Sequence, residues 1–157
     1  MKLSTKGRYG LRAILDMAVH SQEEETVCIQ SISQRQGISE NYLEQLMRLL
    51  KKDGLISSVR GAGGGYRLAK DPKSISVGDV LRALEGDLNP VSCSELTGEG
   101  GCQGADNCVT KYVWKKMNDA IQNAVDGISL EELMEESRKV NSACGEKHIQ
   151  SCERKQA

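Results

Sequence analysis

Residues 28–69 read CIQSISQRQGISENYLEQLMRLLKKDGLISSVRGAGGGYRLA, and this stretch decides the fold. It opens with a short helical segment over 29–36, which Gly37 is expected to end. Ser39 follows as a helix N-cap, and apolar residues at helical spacing then predict a second helix with one buried face. Two short helices joined by a glycine-containing turn predict a helix-turn-helix.

The residues after the second helix predict a β-hairpin. Two short runs, 55–60 and 66–69, flank a glycine-rich turn at 61–65, which is typical of paired antiparallel strands. A nucleotide-binding loop is disfavoured because a phosphate loop ends in Gly-Lys-Ser/Thr, whereas Gly65 precedes Tyr66. A hairpin directly after a helix-turn-helix is the arrangement of a winged helix, whose wing lies along the DNA backbone.

The face of the second helix opposite its apolar stripe carries side chains that can read bases. In a helix-turn-helix the second helix enters the major groove with its N-terminal residues at the base edges. Asn41 and Gln45 can bind adenine, and Arg48 can bind guanine or phosphate. Arg60 and Arg67 flank the hairpin turn, where an arginine can enter the minor groove. The alternative is a solvated helix face in a helical bundle.

Charge is distributed unevenly along the 157 residues. Residues 1–70 carry 11 Lys+Arg and 7 Asp+Glu, whereas residues 71–157 carry 10 and 15. The basic half is where a polyanion such as double-stranded DNA would bind. No stretch reaches the roughly 18 apolar residues of a membrane helix, and the N-terminus lacks the apolar core of a signal peptide. We therefore expect a cytoplasmic protein that does not bind membranes.

Helical periodicity continues on both sides of this segment. It predicts helices over 5–20, 77–85 and 107–125, and a final helix that Ser129 caps. The predicted organisation is a winged helix-turn-helix domain, 1–85, a cysteine-bearing loop, 86–107, a dimerisation helix and a final helix, 107–141, and a disordered polar tail, 142–157. The fold class is therefore mainly α, with a small β-hairpin wing and a long dimerisation helix.

The long helix carries one apolar stripe at steps of four, four, three and four residues. The stripe consists of Val109, Val113, Met117, Ala120 and Ala124. A long helix beyond a small winged domain has little of its own chain to cover it, so a partner helix and a homodimer are expected. The alternative is that the stripe packs only on its own domain.

Three cysteines, Cys93, Cys102 and Cys108, lie in one glycine-rich loop. In a reducing compartment cysteines favour metal or redox chemistry over disulfides. Thiolates are soft ligands that suit zinc, copper(I) or iron–sulfur clusters, but the gaps are longer than those of a usual structural zinc site. Reactive thiols on a flexible loop remain the alternative.

The other cysteines have different settings. Cys108 is expected in the first turn of the long helix, where the helix dipole favours the thiolate. Cys28 opens an apolar stretch and is expected to be a small buried hydrophobe. The polar tail carries three more potential ligands, whose role stays open, at steps of four residues: Cys144, His148 and Cys152.

Four stretches together resemble the IscR-like winged-helix regulators: MKLSTKGRY at 1–9, QGISENYLEQ at 36–45, SVRGAGGGY at 58–66 and GGCQG at 100–104. The resemblance extends over about residues 1–141. It implies a homodimer joined through the long helix, a palindromic promoter site, and a 2Fe–2S cluster on the three loop cysteines. It also implies that the protein represses or otherwise controls genes for iron–sulfur cluster assembly.

The resemblance assigns roles to individual residues. It implies that four residues of the second helix face the bases and that Arg60 faces the minor groove. The four are Asn41, Tyr42, Glu44 and Gln45. No catalytic base constellation or cofactor loop accompanies them, so an enzyme is not expected.

The chain departs from the family pattern at the fourth cluster ligand. The first gap between cysteines is three residues longer than usual, and Lys111 stands where the family places a histidine ligand. Arg8 stands where relatives that sense nitric oxide have an acidic ligand. Candidates for the fourth ligand are Glu95, Glu99, Asp106, the tail thiols or an external thiol. The alternative is a cluster-free regulator that responds to thiol oxidation, nitric oxide or a partner protein of cysteine metabolism.

Overall fold

The computed structural model describes residues 3–21, 26–93, 104 and 107–153, with residues 143–153 described by their backbone alone. The helices of the described part are α1 (Thr5–His20), α2 (Ile29–Gln36), α3 (Glu40–Lys52), α4 (Val77–Glu85), α5 (Lys111–Asp126) and α6 (Leu130–Glu153). The strands are β1 (Ile56–Val59) and β2 (Gly65–Leu68), and a 3₁₀ turn spans Pro72–Ser74. The predicted class, mainly α with a small hairpin wing, is confirmed.

The helix-turn-helix is formed by α2 and α3. Helix α2 ends at Gly37, whose φ of 65° lies in the left-handed region that glycine adopts without steric cost. Ser39 caps α3, because its Oγ accepts a hydrogen bond from the backbone nitrogen of Tyr42 at 3.4 Å. Glu40 lies in the first turn of α3 and two lysines lie in its last turn, in agreement with the helix dipole.

An aliphatic core lies between α1, α2, α3 and α4. Its largest fully buried side chains are Ile14, Met17, Ile32, Leu43, Leu46, Met47, Leu50, Ile56, Ile75, Val80 and Leu130. Each buried side chain of this size stabilises the fold by about 1.5–3 kcal/mol. The α3 members recur at steps of three and four residues, so the apolar face of α3 is inside and its opposite face is in solvent.

The wing is a two-stranded antiparallel hairpin in which Ser57 lies opposite Arg67. Val27, which lies shortly before α2, pairs with the second strand of this hairpin. Val27 exchanges two backbone hydrogen bonds with Tyr66, at 2.8 and 2.9 Å. Gly65 permits this approach, because a Cβ there would lie 2.6 Å from the carbonyl oxygen of Val27. The bridge holds the wing against the start of the helix-turn-helix.

The long helix starts later than the sequence predicts. The predicted start is at residue 107, but α5 begins at Lys111 with Thr110 as its N-cap. Val109 and Thr110 are β-branched and have low helix propensity, and this stretch forms turns instead. Cys108 therefore precedes the helix and does not lie in its first turn.

The final helix ends later than the sequence predicts. The sequence predicts a disordered tail from residue 142, whereas α6 continues to Glu153. Residues 142–153 contain no proline and include alanine, glutamate, lysine and glutamine, which have high helix propensity. Residues 154–157 lie outside the described part.

Candidate nucleic-acid interface and cysteine-bearing segment

The outer face of α3 carries the side chains predicted to contact bases. Asn41, Glu44, Gln45 and Arg48 are all exposed. Tyr42 is half-buried, and its ring meets that of Tyr9 edge to face with 6.2 Å between the centroids. The structure therefore brings four predicted residues together on one surface and ties the fifth partly to α1.

The wing lies beside this face. Lys51 donates a hydrogen bond from its Nζ to the Oγ of Ser58 at 2.6 Å, which links the end of α3 to β1. A cavity of about 230 Å³ opens between helix and wing, and it is lined by Glu44, Met47, Arg48, Lys51 and Tyr66. The helix and the wing thus form one concave surface with cationic side chains at its rim.

Arg60 and Arg67 project from the wing into solvent. The turn between them is held from outside the hairpin, because Thr26 donates its hydroxyl to the carbonyl oxygen of Gly63 at 2.6 Å. Among the described side chains, no carboxylate pairs with Arg48, Arg60 or Arg67. Guanidinium groups with no internal counterion are suited to phosphate oxygens.

A buried carboxylate fixes the position of α2. Asp16 of α1 accepts hydrogen bonds from Arg35, the nearest at 2.7 Å, and from the Nε2 of Gln36 at 2.8 Å. Arg12 completes the link by donating to the carbonyl oxygen of Gln36 at 2.9 Å. Sequence analysis does not identify this positioning network. Its signal is a single charged residue on the inner face of α1, between Leu15 and Met17.

The described loop cysteines are both half-buried. Cys93 lies eight residues after α4, and Cys108 lies two residues before the N-cap of α5. The Sγ of Cys108 is 3.2 Å from the hydroxyl of Thr110. That hydroxyl, helped by the backbone N–H of Lys111, lowers the pKa of the Cys108 thiol below its ordinary value. The thiolate, which is the form that binds metals, is therefore favoured at this position.

The remaining ligand candidates belong to the loop between Cys93 and Cys108. Cys102 lies outside the described residues, as do Glu95, Glu99 and Asp106. Within the described residues, no three His, Cys, Asp or Glu side chains converge as a metal site. Lys111 is the first residue of α5, and its ammonium lies 5.9 Å from the centroid of the Tyr112 ring.

Comparison with known proteins decides the family. The Rrf2 family model, described as an iron-dependent transcriptional regulator, matches residues 3–136. This chain belongs to the Rrf2 family.

Individual relatives agree. The chain is 44% identical over 154 residues to the HTH-type transcriptional regulator IscR of Escherichia coli, which covers 98% of this chain and 92% of the relative. The solved structure of T. potens IscR matches with a TM-score of 0.69 and 41% identity, over 89% of this chain and 90% of that one. CymR, the global cysteine regulator of B. subtilis, matches with a TM-score of 0.70 and 38% identity, over 86% and 97%.

These comparisons confirm the resemblance to IscR-like regulators. This Rrf2-family chain is a transcription regulator with a DNA-binding winged-helix fold. Its relatives are regulators and not enzymes, which confirms that prediction as well. None of the described helices is long and apolar enough to cross a membrane.

Cys28 differs from its predicted setting in this Rrf2-family fold. It is half-buried at the N-cap of α2, and it is not a core residue. Its Sγ lies 3.0 Å from the hydroxyl of Ser31, and that hydrogen bond lowers the pKa of the thiol. Helix α1 ends at His20 as predicted, and the Nδ1 of this residue lies 2.7 Å from the carbonyl oxygen of Asp16.

Helix α5 has no buried residue. Two large members of the predicted apolar stripe are exposed on α5, Val113 by 51% and Met117 by 44%. A third, Val109, is 76% exposed but lies in the turn before the helix. A different face of α5 contacts the winged domain, where Val125 packs against Val77, Leu81 and Leu88. The stripe itself is left uncovered by the described part of the chain.

Proposed function

We propose that this regulator binds a palindromic promoter site as a homodimer. Helix α3 enters the major groove, and the wing follows the backbone into the minor groove. The observation that carries the proposal is the exposed face of Asn41, Gln45 and Arg48. Beside it lie Arg60 and Arg67, which pair with no carboxylate among the described side chains. Such a protein acts on the chromosome, in agreement with the predicted cytoplasmic location.

Base contacts and backbone contacts divide between helix and wing. Asn41 and Gln45 carry amides that can read adenine, and Glu44 can accept from the amino group of cytosine. Arg48 and Arg67 are suited to guanine or phosphate. Tyr42 takes part only through its exposed edge, because the rest of its ring packs toward α1.

The homodimer forms through the apolar stripe of α5. Exposed apolar side chains at helical spacing favour association with a second apolar helix, because burial removes them from water. A second copy is the natural partner, because a palindromic site has the same two-fold symmetry as a homodimer.

The three loop cysteines hold a 2Fe–2S cluster in this proposal. The donor chemistry fits, since iron–sulfur clusters are held by thiolates and Cys108 has a lowered pKa. Lys111 cannot serve as a ligand while protonated, so the fourth ligand comes from another residue or an external thiol. When bound, a cluster supplies a centre that oxygen, nitric oxide or iron supply can change. Control of iron–sulfur cluster assembly genes, which the resemblance to IscR-like regulators implies, belongs to this proposal.

A second candidate function is a cluster-free regulator of the same fold, and the match to the global cysteine regulator CymR favours it. Cys28 supports this reading, because a thiol with a lowered pKa lies at the start of the helix-turn-helix. The signal would then be thiol oxidation, nitric oxide or a partner protein of cysteine metabolism.

Anaerobic purification separates the two candidates. We expect the wild type to carry iron and sulfide in equal amounts with a visible absorption band, and Cys102→Ala to lose both. Cys28→Ala is the matched control and should retain the cluster. A colourless wild type without iron, whose DNA affinity changes on thiol oxidation only when Cys28 is present, would favour the second candidate.

A further inference from the structure

The C-terminal end of helix α5 is attached to the winged domain. The turn after α5 is held by backbone hydrogen bonds: Val77 donates to the carbonyl oxygen of Ile128 at 2.9 Å, and Leu130 donates to that of Ile75 at 2.8 Å. Toward the other end Val113 is exposed on α5, and Val109 is exposed in the turn that precedes the helix. A change in the angle between α5 and the winged domain would therefore rotate the helix about a point near residue 128, which we call the pivot.

One side chain of α4 resists rotation about this pivot. Arg82 donates from Nη1 to the Oε1 of Gln122 at 2.6 Å and from Nη2 to the Oδ1 of Asp126. It also lies 3.7 Å from Asp79, which belongs to the capping box of α4. Gly78 makes room for the contact, because a Cβ there would overlap the carboxylate of Asp126.

These contacts affect the direction of α5 more than they affect the stability of the fold. The side chains of Arg82 and Asp126 are 37% and 44% exposed, so the ion pair itself adds little to stability. Gln122 and Asp126 are one helical turn apart, and a guanidinium that binds both sets the direction of the helix axis. The backbone bridge keeps the helix end attached even when the arginine contacts are lost.

We propose that the Arg82–Gln122–Asp126 contact sets which separation between two DNA half-sites the protein accepts. This inference rests on the proposed homodimer on a palindromic site. With its 16 residues, α5 is about 24 Å long. A rotation of about 8° at the pivot therefore moves the far end by about 3.4 Å, the rise of one base pair. Small changes in this angle alter the distance between the two recognition helices.

The test uses a palindromic operator selected from random duplex DNA by the wild type. Derivatives have one base pair added or removed at the centre, and fluorescence anisotropy gives the Kd of each. We expect Arg82→Ala and Asp126→Asn to reduce the preference for the original spacing over these derivatives by about fivefold. Affinity for a single half-site should not change. Lys115→Ala, which breaks the exposed pair with Asp119 on the same helix, is the control.

The results of this test separate a failure of the inference from a failure of the proposed function. Variants that melt as the wild type does but keep its full spacing preference would overturn the inference, as would an equal loss of preference in Lys115→Ala. Asp126→Asn replaces one carboxylate oxygen with an NH2 group and keeps the shape of the side chain. The test therefore stays valid even if Arg82→Ala unfolds. A wild type that selects no palindrome would instead overturn the proposed function on which the inference depends.

Discussion

The Oε1 of Glu85 lies 2.9 Å from the backbone nitrogen of Gly7 and accepts its hydrogen bond across 78 residues of sequence. The same oxygen accepts from the backbone nitrogen and the hydroxyl of Ser4, at 3.0 and 2.6 Å. Helix α4 thus supplies the acceptor for the N-terminus of α1, whose first turn has no acidic residue of its own.

This contact predicts a pH-dependent contribution to stability. Burial opposes ionisation of Glu85, but the hydrogen bonds from Ser4 and Gly7 outweigh it and lower the pKa of the carboxyl below its ordinary value of 4.5. The stabilisation is therefore present above pH 4.5 and is lost as the pH falls through the lower pKa of the folded state. We expect Glu85→Gln to reduce the free energy of unfolding at pH 7 by about 1–2 kcal/mol.

Urea unfolding of both proteins at pH 7 and at pH 3.5 checks this prediction. The difference between wild type and Glu85→Gln should shrink at the lower pH, because pH 3.5 lies below the ordinary carboxyl pKa of 4.5 and the unfolded wild type binds a proton there. Glu136→Gln is the control, since among the described side chains Glu136 pairs with the exposed Lys139 on α6. A difference that stays constant between the two pH values would contradict the assignment.

The close packing around Gly10 predicts that alanine at this position lowers the stability of the protein, although helix propensity alone predicts an increase. Alanine at a helix interior normally stabilises by about 1 kcal/mol relative to glycine. A Cβ at position 10 would overlap the Cδ1 of Leu84, which is buried in the core. We therefore expect Gly10→Ala to destabilise the protein by about 1–3 kcal/mol in thermal unfolding. Adding Leu84→Val should restore part of the loss, and a stabilised Gly10→Ala would disprove the close packing of α1 on α4.

Substitutions in α3 and in the wing are expected to weaken DNA binding in different ways. Gln45→Ala should weaken binding to the preferred operator by about 1–3 kcal/mol and relax the preference at one base pair. Arg60→Ala should weaken binding and also reduce its dependence on salt concentration. Anisotropy titrations on matched and mutated operators measure both effects. Lys116→Ala on α5 serves as a control for loss of charge. Unchanged affinity, base preference and salt dependence in both variants would rule out this mapping.

The exposed stripe of α5 predicts the oligomeric state. Met117→Glu places a charge in the centre of an apolar interface, so we expect light scattering to detect monomers at micromolar concentration where the wild type is a dimer. Asn123→Glu adds the same charge to an exposed position outside the stripe and should remain dimeric. A wild type that is monomeric, or a Met117→Glu that stays dimeric, would count against dimerisation through α5.

Local signals determined much of the fold. Gly37, Ser39 and Ser129 act over one helical turn, and each ends or caps a helix as the sequence predicts. The hairpin follows from the same kind of evidence, because its strands are joined by a short glycine-rich turn. The exposed face of α3 was also predictable, since helical periodicity that buries Leu43 and Leu46 necessarily turns Gln45 outward.

The positions at which helices begin and end depend on small differences in helix propensity. The start of α5 at Lys111 and the continuation of α6 to Glu153 differ from the predicted bounds. Adjacent residues there have propensities that differ by only a few tenths of a kcal/mol, so composition does not resolve where a helix begins or ends.

Tertiary structure alone decided the contacts between distant residues. Asp16 meets Arg35, Glu85 meets Gly7, and Arg82 meets Asp126 across 19, 78 and 44 residues. Each pair depends on which helix faces pack together, and periodicity along one helix gives no information about its partner. The sequence by itself therefore determined the helices, the wing and the exposed face of α3. Only the packing of α1, α4 and α5 decided how those parts are held, because polar partners are selected by distance in space and not by separation along the chain.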